Sequence, residues 1–97
     1  MNTQVNGTID QQENDDRNKL TLIVVVGGTP EHVEVNVHSP LRTVIPLALI
    51  HHPGQPPENW ELRDATGNLL DLDRKIEDYH FAPETTLFLN LKAGVGG

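Results

Sequence analysis

The sequence predicts an α+β domain in two layers, with a small mixed sheet of four to five strands packed on one helix. Three observations point there. "KLTLIVVV" (Lys19 to Val26) and "HVEVNVH" (His32 to His38) have strand chemistry and flank a glycine turn. Apolar residues then recur at three- and four-residue steps from Leu41 to Leu49. Finally "TTLFLNLKA" returns to alternation. A chain of 97 residues is one domain, and its 36% apolar content fills one modest core.

Residues 1–18 hold three scattered apolar side chains among Asn, Gln, Asp, Thr and Gly, too few to offset ordering entropy, so the sequence predicts a disordered tail there. The domain begins at Lys19 and runs to Lys92, and residues 93–97 form a second tail. The first strand is apolar on both faces in its far half. Thr21 favours Leu20, Leu22, Val24 and Val26 as the inward set. Gly27 and Gly28 supply the turn chemistry of a hairpin. In the second strand Val33, Val35 and Val37 face one side while Glu34 and Asn36 face the other, which is a strand with one wet face.

The helix stripe is Leu41, Val44, Ile45, Ala48 and Leu49. Pro46 is tolerated only in a first turn, whose N–H groups lack partners anyway. The expected helix therefore starts at Leu41 to Thr43, with Thr43 as N-cap, and runs about three turns to Pro53-Gly54. A short strand follows around Trp60 to Asp64, then a second hairpin or bulge at Gly67-Asn68 with a brief strand at Leu69 to Leu70. "RKIEDYHFAPE" reads as a helical turn or tight loop. In the last strand Leu87, Leu89 and Leu91 share one face, and Phe88, Asn90 and Lys92 the other. Strand, strand, helix, short strands, long strand is the β-grasp order, in which one helix and one sheet bury each other's apolar faces.

Composition excludes several functions. The formal charge is −7, from 14 acidic and 7 basic residues, which argues against nucleic acid as a partner. There is no cysteine, hence no disulfide, no thiolate metal site and no cysteine nucleophile in the chain. "MNTQVNGTIDQQEND" has neither the basic nor the apolar region of a secretory signal, and "LIVVV" is too short to cross a membrane. A soluble, cytoplasmic protein is expected.

Two segments and the end carry a resemblance. "GQPPE" (Gly54 to Glu58) resembles the Gly-x-Pro-Pro-Asp that follows the helix of ubiquitin. "IEDYHFAPETTLFLNLK" (Ile76 to Lys92) is similar to its Leu-Ser-Asp-Tyr-Asn-Ile-x-x-x-Ser-Thr-Leu-x-Leu-x-Leu-Arg, and both chains end in Gly-Gly. The match covers about Lys19 to Gly97 and looks most like the bacterial ubiquitin-like modifiers encoded beside activating, conjugating and deconjugating enzymes. The resemblance implies a ubiquitin-like β-grasp with Ile45, Leu49, Leu70, Ile76, Phe81, Leu87 and Leu89 in the core. It implies that the Tyr79 hydroxyl buttresses the loop before the last strand.

The departures from the pattern are informative. The tail keeps one basic position, Lys92, and none at Ala93, Gly94 or Val95, and it is one residue longer. Asn90 stands where the apolar recognition patch has valine, and Arg63 or Asp64 where it has isoleucine. Receptors for ubiquitin are thus expected to ignore this chain. Asn68, Pro83 and Glu31 occupy three chain-linking lysine positions, so ubiquitin-type chains are not expected.

What the resemblance implies for function is a modifier, with antiphage defence as one use, activated at Gly97 by an ATP-dependent activating enzyme. It is then passed as a thioester to a conjugating enzyme, joined to a target protein's amine, and removed by a deconjugating isopeptidase. Gly96 and Gly97 suit such narrow channels because a Cβ would collide there. Lys92, Ala93, Gly94, Val95, Phe88 and Asn90 would be read by partners. The chain is then a substrate and no enzyme, needing no cofactor or metal of its own. Two alternatives share the fold: a sulfur carrier ending in a thiocarboxylate, and a non-covalent interaction domain that never reacts. By itself the Gly-Gly end also fits a frayed terminus.

Other features read blandly. His51-His52 point about 100° apart on a helix and read as a solvated helix end. Asp71, Asp73, Glu77 and Asp78 lack calcium-loop spacing and read as a solvated acidic face. Gly27-Gly28 is no phosphate loop. Trp60 is either half-core packing or a partner anchor, and Phe88 is expected to sit exposed near the tail.

Overall fold

The computed structural model describes residues 18–94. The expected N-terminal tail, apart from Asn18, and Val95, Gly96 and Gly97 lie outside the described residues. Strand β1 (Lys19–Val26) and strand β2 (Thr29–Asn36) form an antiparallel hairpin in which Val26 faces Thr29. The two-residue turn has φ of 56° at Gly27 and 86° at Gly28, the paired positive values of a type I′ turn, which glycine adopts without steric cost. β2 starts three residues earlier than its alternation suggests, at Thr29, because an edge strand accommodates Pro30.

Strand β3 (Trp60–Arg63) and strand β4 (Thr86–Leu91) complete a four-stranded sheet of order β2-β1-β4-β3. β4 runs parallel to β1, Val24 opposite Leu87, and antiparallel to β3, Leu62 opposite Leu89. Leu22, Val24, Val26, Val33, Val35, Leu87 and Leu89 are buried on one face, as the alternation predicts, and Leu62 of β3 is buried with them. Leu20, Val37, Trp60 and Phe81 pack half-buried at its margin.

The helix is shorter than predicted. A 3₁₀ turn (Leu41–Thr43) leads into helix α1 (Val44–Ala48), only five residues long. Pro46 explains the start. An α-helix running through it would bring its ring against the Arg42 carbonyl, so the preceding residues wind more tightly. Past Ala48 the chain tightens again, with bonds from Ile50 N–H to Leu47 and His52 N–H to Leu49. Thr43 does not cap: its backbone is already helical and its hydroxyl donates to the Pro40 carbonyl at 2.8 Å. Leu41, Val44, Ile45, Ala48 and Leu49 are nevertheless all buried.

The connection from β3 to β4 has less strand than predicted. Leu69 makes one isolated bridge to Arg63, and no second strand forms at Leu69 to Leu70. Asp64 holds the turn instead, accepting from the Thr66 hydroxyl at 2.7 Å and the Asn68 N–H at 3.0 Å. Ile76–Tyr79 is the expected helical turn, in 3₁₀ form. The Tyr79 hydroxyl donates to the Asp71 carbonyl at 3.1 Å and accepts from the Asp71 N–H at 2.7 Å. It thus fastens the early part of this connection rather than the loop directly before β4. Its ring stacks on Phe81 at 5.2 Å.

Candidate functional site

The region of interest is where the chain leaves β4. Leu91 pairs with Trp60, and the Lys92 N–H donates to the Asn59 carbonyl at 2.9 Å. That bond is the last backbone tie to the body among the described residues. Lys92, Ala93 and Gly94 are exposed. The sheet delivers the segment outward because β4 is a central strand that ends flush with the start of β3. The reacting pair of the sequence reading, Gly96 and Gly97, follows within five residues of this root but lies outside the described residues, as does Val95.

Beside the root is a cleft of about 370 Å³. Ile45, Pro46, Trp60 and Leu72 give it an apolar lining, and Arg42 and Lys92 bring cations to it. The Trp60 indole N–H points back to the Gln55 carbonyl at 3.4 Å, so this side chain is both half-core and cleft wall. No pattern in the sequence marks the cleft. It arises because the tight turn at Leu41–Thr43 and the short α1 leave room between the helix layer and the end of β4.

The outer sheet face carries Ile23, Val25 and Phe88, all half-buried. Phe88 is therefore less exposed than expected: it stands between Val25 on β1 and Arg63 on β3. Asn90 is exposed opposite Glu61. Arg63 is held by Glu61 at 2.9 Å and by the Gly67 carbonyl at 2.8 Å. The positions that the resemblance sets against ubiquitin's apolar patch thus hold an ion pair next to an amide. On the opposite side, Leu47 and Ile50 expose 42% and 66% of their surface one turn apart, a second apolar feature absent from the sequence reading.

The histidine pair is not simply solvated. His52 Nε2 lies 2.7 Å from Glu31 Oε2, and His51 Nδ1 lies 3.6 Å from Oε1 of the same carboxylate. The turn after α1 brings adjacent residues round to one acceptor on β2, which a regular helix would prevent. The hydrogen bond from His52 is the main reason the Glu31 carboxyl titrates below its ordinary 4.5. Asp64 is likewise lowered from 3.8, chiefly by the Thr66 hydroxyl. Arg42 pairs with Asp73, and His38 with Glu77 at 3.3 Å, which accounts for part of the acidic stretch. Among the described residues, no group of three or more His, Cys, Asp or Glu is arranged to hold a metal ion. No helix there is long and apolar enough to cross a membrane.

A family described as "Protein of Unknown function (DUF2604)" matches residues 15–97, which is most of the chain and runs through both terminal glycines. The chain belongs to this family. It is 52% identical over 81 residues to the uncharacterized protein y4jI of Sinorhizobium fredii (strain NBRC 101917 / NGR234). The match takes in 81% of this chain, which spans 62% of the relative's length. Among solved structures it is similar to a de novo designed protein based on ubiquitin, with a TM-score of 0.66, 22% identity, and coverage of 82% of this chain and 96% of the other. It is also similar to Arabidopsis thaliana At2g32350, at a TM-score of 0.65 and 17% identity over the same shares. At such identities these likenesses speak to the fold, and the fold is a ubiquitin-like β-grasp.

Proposed function

We propose that this ubiquitin-like domain is a protein modifier whose acylating end is Gly97, presented directly or after removal of anything beyond it. The observation that carries the reading is the exposed departure of Lys92, Ala93 and Gly94 from a well-packed head, with Gly96-Gly97 following in the family-matched sequence. In support, the chain has no cysteine, so it is the passenger of thiol chemistry and not its agent.

The chemistry runs in three balanced steps. The Gly97 carboxylate attacks the α-phosphorus of ATP on a partner enzyme, forming an acyl-adenylate and expelling pyrophosphate. A partner's thiolate attacks the acyl carbon and AMP leaves, giving a thioester. A conjugating enzyme then hands the acyl group to a target amine, which displaces the thiol and leaves an isopeptide. A deconjugating isopeptidase reverses the last bond. Gly96 and Gly97 fit because no Cβ stands between the acyl carbon and the groups that must reach it. In a bacterial host such a system would act in the cytoplasm, and antiphage defence is one use of it.

The test is to incubate the tagged chain in host extract with ATP and Mg²⁺. The expected products are one adduct that thiols reverse and others that they do not, all lost in Gly97→Ala. Branched glycine remnants on lysines then identify targets. A product whose mass changes by one sulfur for one oxygen selects the sulfur-carrier alternative. Retention of full function after deletion of Gly96-Gly97 selects non-covalent binding and ends the modifier reading.

A further inference from the structure

We propose that β2 is the contact edge of a symmetric dimer, pairing antiparallel with β2 of a second copy so that the two sheets become one. The sheet has two edges, β2 and β3, and they are not alike. β3 is partly covered: the Leu70 N–H donates to the Leu62 carbonyl at 2.9 Å, and Leu69 bridges Arg63. β2 is the longer edge, from Thr29 to Asn36, and among the described residues no strand lies on its outer side.

The hairpin sets which β2 groups face outward. A two-residue turn makes its flanking pair, Val26 and Thr29, a hydrogen-bonded one, and such pairs alternate with open ones. The Val37 N–H bonds the Asn18 carbonyl at 2.7 Å, which carries the same phase to the far end. Thr29, Glu31, Val33 and Val35 therefore turn their backbone groups to β1. Pro30, His32, Glu34 and Asn36 turn theirs away from it.

The side chains select the partner and the register. His32 and Glu34 are exposed on the sheet face opposite the helix. When two β2 strands pair antiparallel about Val33, His32 of each copy stands opposite Glu34 of the other, and the charge complement is made twice. The same residues exchange both backbone bonds. Pro30 falls opposite Asn36 of the second copy. It has no N–H to give, and the Asn36 carbonyl needs none, since it already accepts from the Ser39 N–H at 3.0 Å. The Asn36 N–H is left for the Pro30 carbonyl. On the helix side Val33 meets Val33, while Glu31, held by His52 at 2.7 Å, stands opposite Val35. A slip of two residues is worse in either direction. One sets Glu34 against Glu34. The other sets His32 against His32 and leaves a Glu34 carbonyl facing the proline ring. Proline and charge, which ordinarily guard an edge against pairing, here admit one register.

The contact closes on itself, because each copy spends its β2 edge on the other and β3 is covered. It leaves the tail root beside β3 free on both copies, so it rests on no part of the modifier reading. An edge and a few side chains make a weak interface, under about 1,200 Å² in total.

Sedimentation equilibrium of the full chain from about 10 µM to about 1 mM should show monomers giving way to dimers and to nothing larger. The His32 and Glu34 amides should gain protection from solvent exchange in step with the dimer. His32→Glu sets like charges opposite each other twice and should raise the dissociation constant about tenfold. Adding Glu34→Lys to it remakes the opposite pairs and should restore the dimer. Both side chains are exposed, so the hairpin stands in each variant, which the amide spectrum checks. A chain that stays monomeric throughout this range overturns the proposal, as does a dimer indifferent to these substitutions. Protection of the His32 and Glu34 amides in the monomer assigns the edge to another segment of the same chain and overturns it too. Species that keep growing with concentration show an open-ended contact and do the same.

Discussion

Glu31 shows what one residue does when the fold brings two histidines to it. Its folded carboxyl titrates below 4.5, so its contribution to stability is fully present above that value. The contribution is lost as the pH falls through the lowered folded value. Glu31→Gln should flatten the acid side of the thermal midpoint profile, read from neutral pH to below 4.5. Asp64 acts with the same sign through its own turn. Tyr79→Phe removes both bonds to Asp71 and should cost about 1 kcal/mol in urea denaturation, with the stacked ring retained. The turn glycines Gly27 and Gly28 were legible at this scale because their meaning is local. Glu31 and His52 were not, because 21 residues separate them and no periodicity links the two.

At the scale of elements, the strands were legible and the helix only partly so. Alternation in β2 and β4 is a direct image of a half-buried sheet, and the Gly27-Gly28 turn needs only its own two residues. Gly27→Ala places a Cβ in open space, yet forces an L-residue to a φ of 56°. It should destabilise the hairpin by about 1–2 kcal/mol in urea denaturation, and Gly27→Asn by less. The helix stripe named the right buried residues but not their geometry, since 3₁₀ and α turns bury nearly the same positions. Pro46 signalled the start, and the tightening after Ala48 was decided by what the next residues met.

For the molecule as a whole, the head and its tail should be separable. Leu62 is fully buried between β4 and the helix layer, and Leu62→Ala should cost about 2–5 kcal/mol, a large part of the stability of so small a domain. Deleting Gly96-Gly97 should leave the thermal midpoint unchanged while abolishing adduct formation, because the last backbone tie to the body described is Lys92 to Asn59. A midpoint that falls with the deletion would mean the glycines pack on the body, against the presentation argued for them.

By itself the sequence determined the two-layer β-grasp, the inward face of each long strand, the glycine hairpin and the identity of the exposed tail root. These follow from the period of side-chain direction, which is written into the order of residues. Only the tertiary structure decided the length of the helix, the Glu31 clamp on His51 and His52, the tie from Tyr79 to Asp71 and the cleft beside Lys92. Each of these joins groups distant along the chain, and their meeting depends on how far one tight turn and one proline displace a whole layer.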